Sequence, residues 1–450
     1  MWLWDPAPQL SDAAVRAGFF DFLTRERVAT VWAQVGTEQA ASPAPPARSA
    51  GIGPARRLTH EAGWREFIGE AHRRNIRVEA LDGDPTWALK ASHQAPLDVV
   101  GAVLAYNRAE SPGVRFDGIH FDIEPYLLIP WRFRLARAQM LREYLDLVVQ
   151  CQMKVREFPG MQFGVDIPWW WQAIDDRTGR AIGDVLFDGT RKAASYHAID
   201  RLDNVGIMNY RNFADGADGL ISHGEDLLKY ADAARRARIW MGVETSRSAP
   251  MLVWYVVGLP TEQMDRLLAD PASGIGRDNR VDGFTVRLFD DGTNTHVGLN
   301  LGSDDPAHPA AAFLAALTRL ARRFGIVSKP GFDEPGGFAL RLALRAMAAD
   351  REWQDPASKP LLDAQTGTEH PGFLGTSIML PKLTFAGLAP DVMRRELATA
   401  ETTFSVHSSY GGIAIHHYES YVTLVGPARP GQNSGLAWPH PTVYGVMGRR

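Results

Sequence analysis

Phe116–Glu124 reads FDGIHFDIE. Side chains alternate across a strand, so Ile119, Phe121 and Ile123 share one face and Gly118, His120, Asp122 and Glu124 the other. The apolar face fits packing under helices. The polar face puts three ionisable groups in a row, which is costly to bury unless they pair or act. Pro125 cannot continue a ladder, so Glu124 falls at the strand's C-terminal end. Catalytic groups of α/β barrels stand at that end. Two carboxyls this close repel, which raises at least one pKa and makes a proton donor usable near neutral pH.

Similar short apolar runs recur on both sides of this stretch. Leu3-Trp4, Val28–Gln34, Ile76–Leu81, Gln162–Ile167, Val205–Tyr210, Arg238–Glu244 and Gly412–Tyr418 read as further strands. Helical patterns lie between most of them: Ser11–Arg27 with Ser11 as N-cap, Glu61–Arg74, Pro96–Ala109, Arg132–Phe158, Ser222–Ala237 and Pro390–Thr403. Repeated βα units imply a parallel sheet, and eight of them a closed (β/α)8 TIM barrel of the α/β class. A doubly wound open sheet is the alternative, but no G-x-G-x-x-G follows the first strand.

The stretch after Glu244 breaks the alternation. It has its own β-like runs, Leu252–Val257 and Gly283–Phe289, and helical patterns at Thr261–Ala269, Pro309–Phe324 and Phe338–Ala349. The expected organisation is barrel strands 1–7 over residues 1–248, a large α/β insertion after strand 7 over 249–380, and the last helix, strand 8 and tail over 381–450. The other reading takes Gly283–Phe289 as strand eight and the chain beyond Lys329 as a separate domain. Gly36–Arg56, rich in Ala, Pro, Gly and Ser, reads as a long loop.

The chain has 450 residues, 45% of them apolar and 22% charged, enough for a large core. The net charge of -4 gives no support to nucleic-acid binding. A single cysteine, Cys151, excludes an intramolecular disulfide and a Cys-built metal site. No apolar run is long enough for a membrane span, and no basic-plus-apolar leader opens the chain, so a cytoplasmic location is expected. No cofactor motif appears, and no G-x-S-x-G elbow.

With these residues in view, Asp117–Glu124 resembles the D-G-x-D-x-D-x-E signature of family 18 glycoside hydrolases, the chitinase-like barrels. The resemblance implies that Glu124 is the acid/base and that Asp122 supports it. Ile207-Met208-Asn209-Tyr210-Arg211 resembles the family's M-x-Y-D, which implies that Tyr210 positions an acetamido carbonyl. His120 and Arg211 stand where the family has aspartates, and the last strand carries His416, His417 and Tyr418 in place of a tryptophan. Glu244 also ends a strand, and carboxylates closing strands four and seven resemble retaining glycosidases with an enzyme nucleophile.

The expected function is therefore glycosidic-bond cleavage of an oligosaccharide or polysaccharide. Glu124, Asp122, Tyr210 and Glu244 are the candidate catalytic residues. The nucleophile is either Glu244 or the substrate's own acetamido group. His120, Asp166, Trp169, Trp170, Asn209, Arg211, His416 and Tyr418 are candidate substrate contacts, with the Trp169-Trp170-Trp171 run as a stacking platform. Asp5, Asp82 and Asp84 end strands one and three and could bind hydroxyls, but Asp before Pro or Gly is also turn chemistry; Trp87 and Tyr126 are similar loop aromatics. Two rivals remain: a carbohydrate-binding barrel without catalysis, and a metal-dependent hydrolase using His120, Asp122, Glu124 and His416. Neighbouring side chains on one strand converge poorly on a metal.

Overall fold

The computed structural model describes residues 1–39, 56–128, 131, 134–175, 178–246 and 381–426, with the backbone of strands at 251–259, 280–281, 284–290, 295–301 and 373–377. The expected loop over 36–56 lies mostly outside these residues, and so do the helical patterns of 261–269, 309–324 and 338–349. Two compact units emerge. One holds Met1–Pro125, Ala138–Ser246 and Lys382–Gly435, the other Tyr126–Arg137, Arg247–Pro381 and Leu436–Arg450.

The first unit is built on eight parallel strands in chain order. They are β1 (Trp2–Leu3), β2 (Thr30–Gln34), β3 (Arg77–Asp82), β4 (Gly118–Asp122), β5 (Gln162–Pro168), β6 (Asn204–Met208), β7 (Arg238–Glu244) and β8 (Tyr410–His416). Every ladder is parallel. The first and last strands meet through side chains: Trp2 packs in one cluster with Trp32, Leu81 and Ala414. The sheet is a nearly closed β/α barrel. In the second unit, strands Arg280–Val281, Phe284–Asp290, Thr295–Leu301, Met251–Leu259 and Phe373–Ser377 form an antiparallel sheet in that order. The run at 283–289 thus belongs to this sheet, and Tyr410–His416 supplies the barrel's eighth strand.

The helices follow from spacing. In α2 (Glu61–Arg73) the buried residues are Trp64, Phe67, Ile68 and Ala71, the three- and four-residue steps of one helical face. The cap of α1 (Ala13–Arg25) is Asp12, which accepts from the N–H groups of Ala14 and Val15. Ser11 is not the cap: its hydroxyl donates to Ala7 O and closes a short preceding turn. Further along are α3 (Gln94–Ala109), α4 (Arg134–Val155), α5 (Ala194–Ile199), α6 (Leu220–Ala234), α7 (Pro390–Phe404) and α8 (Tyr418–Val425). Among the described residues, no helix is long and apolar enough to cross a membrane.

The barrel interior departs from the usual layers of branched aliphatic residues. Trp2, Trp32 and Trp240 fill it, with Glu79, His120 and Asp166 between them. Glycines make the room. A Cβ on Gly206 would stand 2.0 Å from Asp166 Oδ1, and one on Gly164 1.7 Å from Asn204 Oδ1. Because Asp166 is fixed and fully buried, Gly206→Ala is expected to destabilise the fold by about 1–3 kcal/mol through overpacking. Urea unfolding checks this, and an unchanged midpoint would show that the interior yields.

Candidate active site

The C-terminal ends of β4, β6, β7 and β8 carry the ionisable groups of the mouth. Asp122 ends β4, directly across the ladder from Asp166 on β5. One of its oxygens, Oδ1, is sealed from solvent without a hydrogen-bond partner among the described residues. Burial raises the Asp122 carboxyl well above the usual range, and the charges of Glu124 and Asp166 raise it further. Burial thus favours the protonated form of Asp122. The loop after β3 closes on it: a Cβ on Gly83 would fall 1.9 Å from Asp122 O, so only glycine fits. Glu124 lies two residues beyond the last ladder position, half-buried.

Glu244 ends β7 and is buried. Its Oε1 accepts from the N–H groups of Thr245 at 2.7 Å and Ser246 at 2.6 Å. Its Oε2 lies 2.8 Å from His416 Nδ1 on β8. The other ring nitrogen, Nε2, accepts from the Trp4 indole at 3.0 Å. An indole N–H can only donate, so the ring hydrogen of His416 sits on Nδ1 and is given to Glu244. Burial pushes the Glu244 carboxyl up, but His416 and the Ser246 N–H outweigh it and hold the group below the usual range.

Tyr210 follows β6. Burial raises its hydroxyl well above the usual phenol range, and the charges of Glu244, Asp122, Asp166 and Glu124 add to this. It remains an O–H donor at any ordinary pH. Those charges place Glu124, Asp122 and Glu244 within electrostatic reach of Tyr210, so the expected catalytic residues gather around it. His416 joins them through Glu244.

Several expected substrate contacts are placed elsewhere. His120, Asp166 and Asn209 are fully buried. His120 stacks on Trp32 at 4.0 Å, and Asn209 donates to Leu220 O, stapling the end of β6 to α6. Arg211 spends its guanidinium on Asp218 and on Tyr210 O, so it fixes the turn after β6. Lys382 completes that cluster from the segment before α7. Trp169 is stacked at 3.4 Å on His223, which covers one face of the indole. Trp171 is core, and Trp170 is half-buried. Tyr418 is not on β8: that strand ends at His416, and Tyr418 starts α8, packed against Phe19 and Phe22 of α1. Asp84 caps the turn after β3 by accepting from Thr86 N, and Asp5 accepts from Ala7 N. Trp87 packs on Phe121.

The residues not anticipated are Glu79, Trp2, Trp4 and Trp32. Alternation in Ile76–Leu81 puts Glu79 on the inward face with Leu81, and that pattern was the available signal. Among the described residues, no group of three or more His, Cys, Asp or Glu side chains is arranged to hold a metal.

Asp82, at the end of β3, is raised by burial from 3.8 to about 6. An acid with a raised folded-state pKa stabilises the fold fully below its unfolded value and loses that contribution as pH rises through the folded one. Relative to Asp82→Asn, the wild type is expected to lose stability between pH 4 and about 6. Urea midpoints of the two proteins across that window check it, and parallel curves would refute it.

No family model matches the sequence, and a search among curated proteins finds no relative. Similar solved structures include the spore cortex-lytic enzyme SleL of Bacillus megaterium QM B1551, at 12% identity over 72% of this chain and 67% of that one, TM-score 0.32. A chitinase from Bacteroides thetaiotaomicron has 12% identity over 59% and 70%, TM-score 0.31. A GH18 chitinase from Pseudoalteromonas aurantia has 10% identity over 55% and 81%, TM-score 0.32. Likeness this weak carries no argument, and the chemistry has to be read from the mouth itself.

Proposed function

We propose that this barrel is a glycoside hydrolase acting on an oligosaccharide or polysaccharide. One observation carries the reading: Asp122, its carboxyl raised by burial, ends β4 two residues before Glu124, while Glu244, held low by His416 and the Ser246 N–H, ends β7 within the field of the same tyrosine. Carboxyls driven apart in pKa are what acid and anion roles require.

In this reading the Asp122–Glu124 pair carries one proton: Asp122 passes it to Glu124, which gives it to the glycosidic oxygen. The Glu244 carboxylate attacks the anomeric carbon as the C–O bond breaks, forming a glycosyl ester. Water then attacks, Glu124 takes its proton, and the ester bond breaks to release the sugar with retained configuration. Tyr210 donates to a sugar oxygen, and Trp170 is the remaining candidate for stacking. Residues 249–380, as an insertion after strand 7, remain part of this proposal.

A second nucleophile is kept for a specific reason. Three acceptor positions of Glu244 are already filled, while the Tyr210 O–H suits the carbonyl of a substrate acetamido group. The test is a panel of aryl glycosides and oligosaccharides, with product configuration followed by proton NMR. Cleavage with retention supports the proposal. Glycan binding without cleavage, by wild type and Glu124→Gln alike, would make the barrel a binding module. Cleavage abolished by a chelator would point to a metal enzyme.

A further inference from the structure

Beneath the mouth, the structure holds a line of polar groups that the proposed reaction does not use. Glu79 on β3 accepts from Trp32 Nε1 at 3.1 Å and lies 3.9 Å from His120 Nδ1. His120 Nε2 lies 2.9 Å from Asp166 Oδ1, and Asp166 Oδ2 accepts from Trp2 Nε1 at 2.9 Å. Asp166 is wholly buried, and its ladder partner is Asp122. Trp2 holds one oxygen by a hydrogen bond, the other faces His120 Nε2, and Gly206 leaves that second oxygen space that a methyl group would take.

We propose that Asp166 is a positioning residue for the acid/base pair: held across the ladder from Asp122 by the Trp2 indole, with His120 against its other oxygen, it confines one proton to the Asp122–Glu124 pair. The proposal rests on the reading of those two residues as the acid/base pair. Its logic is electrostatic. A second carboxylate at a buried site opposes ionisation of the first. Asp122 is faced by Glu124 beyond the end of its own strand, by Asp166 on β5, by Tyr210 after β6 and by Tyr144 on α4. The two tyrosines are raised by burial and stay uncharged, so Glu124 and Asp166 supply the negative field. If Asp122 lost its proton, Glu124 would face an anion and could not be recharged from that side.

This assigns work to two sequence features at once. A histidine at position 120 carries no carboxylate, but it packs against one from the next strand. The glycine at 206 leaves room beside the same oxygen.

The test needs no substrate. Protein labelled with carbon-13 at the Asp and Glu carboxyls is titrated by NMR, with Asp122→Asn used to assign the Asp122 signal. In wild type, Asp122 is expected to titrate well above an ordinary carboxyl. In Asp166→Asn its midpoint should fall by roughly one pH unit or more. In Asp82→Asn it should not move, because Asp82 is not among the charges acting on it. An unmoved midpoint in folded Asp166→Asn overturns the proposal. If that variant does not fold, the wild-type spectrum decides alone: Asp166 taking up its proton at a higher pH than Asp122 would reverse the roles and overturn it. A shifted Asp122 in a protein that cleaves no glycan would sink the hydrolase reading and leave the proton placement standing. Cleavage that depends on Glu124 with an unmoved Asp122 would do the opposite.

Discussion

Glu124→Gln is expected to lower kcat/KM on an oligosaccharide by about 10²–10⁴ while the protein remains folded. The amide keeps the size and hydrogen-bonding shape of the acid but has no transferable proton. Glu124 lies past the end of β4 and is half-buried, and the amide fills the same space. Substrates should respond unequally. An aryl glycoside with an acidic phenol leaves without protonation, so its first step loses little. An oligosaccharide must leave as an alcohol and needs the acid, so it loses the most. The variant's pH profile should also lose its alkaline limb, since that limb reports deprotonation of the acid. Equal losses on both substrate types would mean that the variant has lost binding, and the acid role would go to another group.

The same residues show what a sequence can and cannot reveal here. The strands were legible because each is a short apolar run closed by a turn or helix signal, and β4 was legible down to the face of each side chain. Glu124, Asp122, Tyr210 and Glu244 were legible because position at a strand's C-terminal end depends only on local pattern. Contacts between strands were not. Nothing local to Trp4 says that its indole meets a histidine more than four hundred residues away. His120 and Asp166 looked like mouth groups because alternation gives the face of a residue but not its depth. Both are fully buried, His120 stacked on Trp32 and Asp166 bonded to Trp2. Arg211 looked like a ligand contact because its partner Asp218, which it shares with Lys382, lies off the strand. Tyr418 was assigned to the wrong element because a single residue, His417, separates the end of β8 from the start of α8.

Glu244 offers the sharper decision between the two nucleophiles. Glu244→Ala is expected to reduce turnover by about 10²–10³ at least, since a fixed anion opposite developing positive charge is electrostatic preorganisation. The alanine leaves the N–H groups of Thr245 and Ser246 and the Nδ1–H of His416 without their acceptor. Three donors converging on a vacated carboxylate make a site for a small anion. Azide or formate should therefore restore part of the activity. Azide attacking the anomeric carbon from the carboxylate's side would give a glycosyl azide of inverted configuration, readable by proton NMR. That product would establish Glu244 as the nucleophile. A variant that still hydrolyses with retention, unaffected by azide, would give the nucleophile's part to the substrate's acetamido group. Glu244 would then be a fixed charge that His416 and Trp4 hold in place. The two outcomes differ in substrate range as well, because only the second demands an N-acetylated sugar at the cleavage site. One variant, assayed with and without azide on sugars with and without that group, decides both the nucleophile and the substrate class.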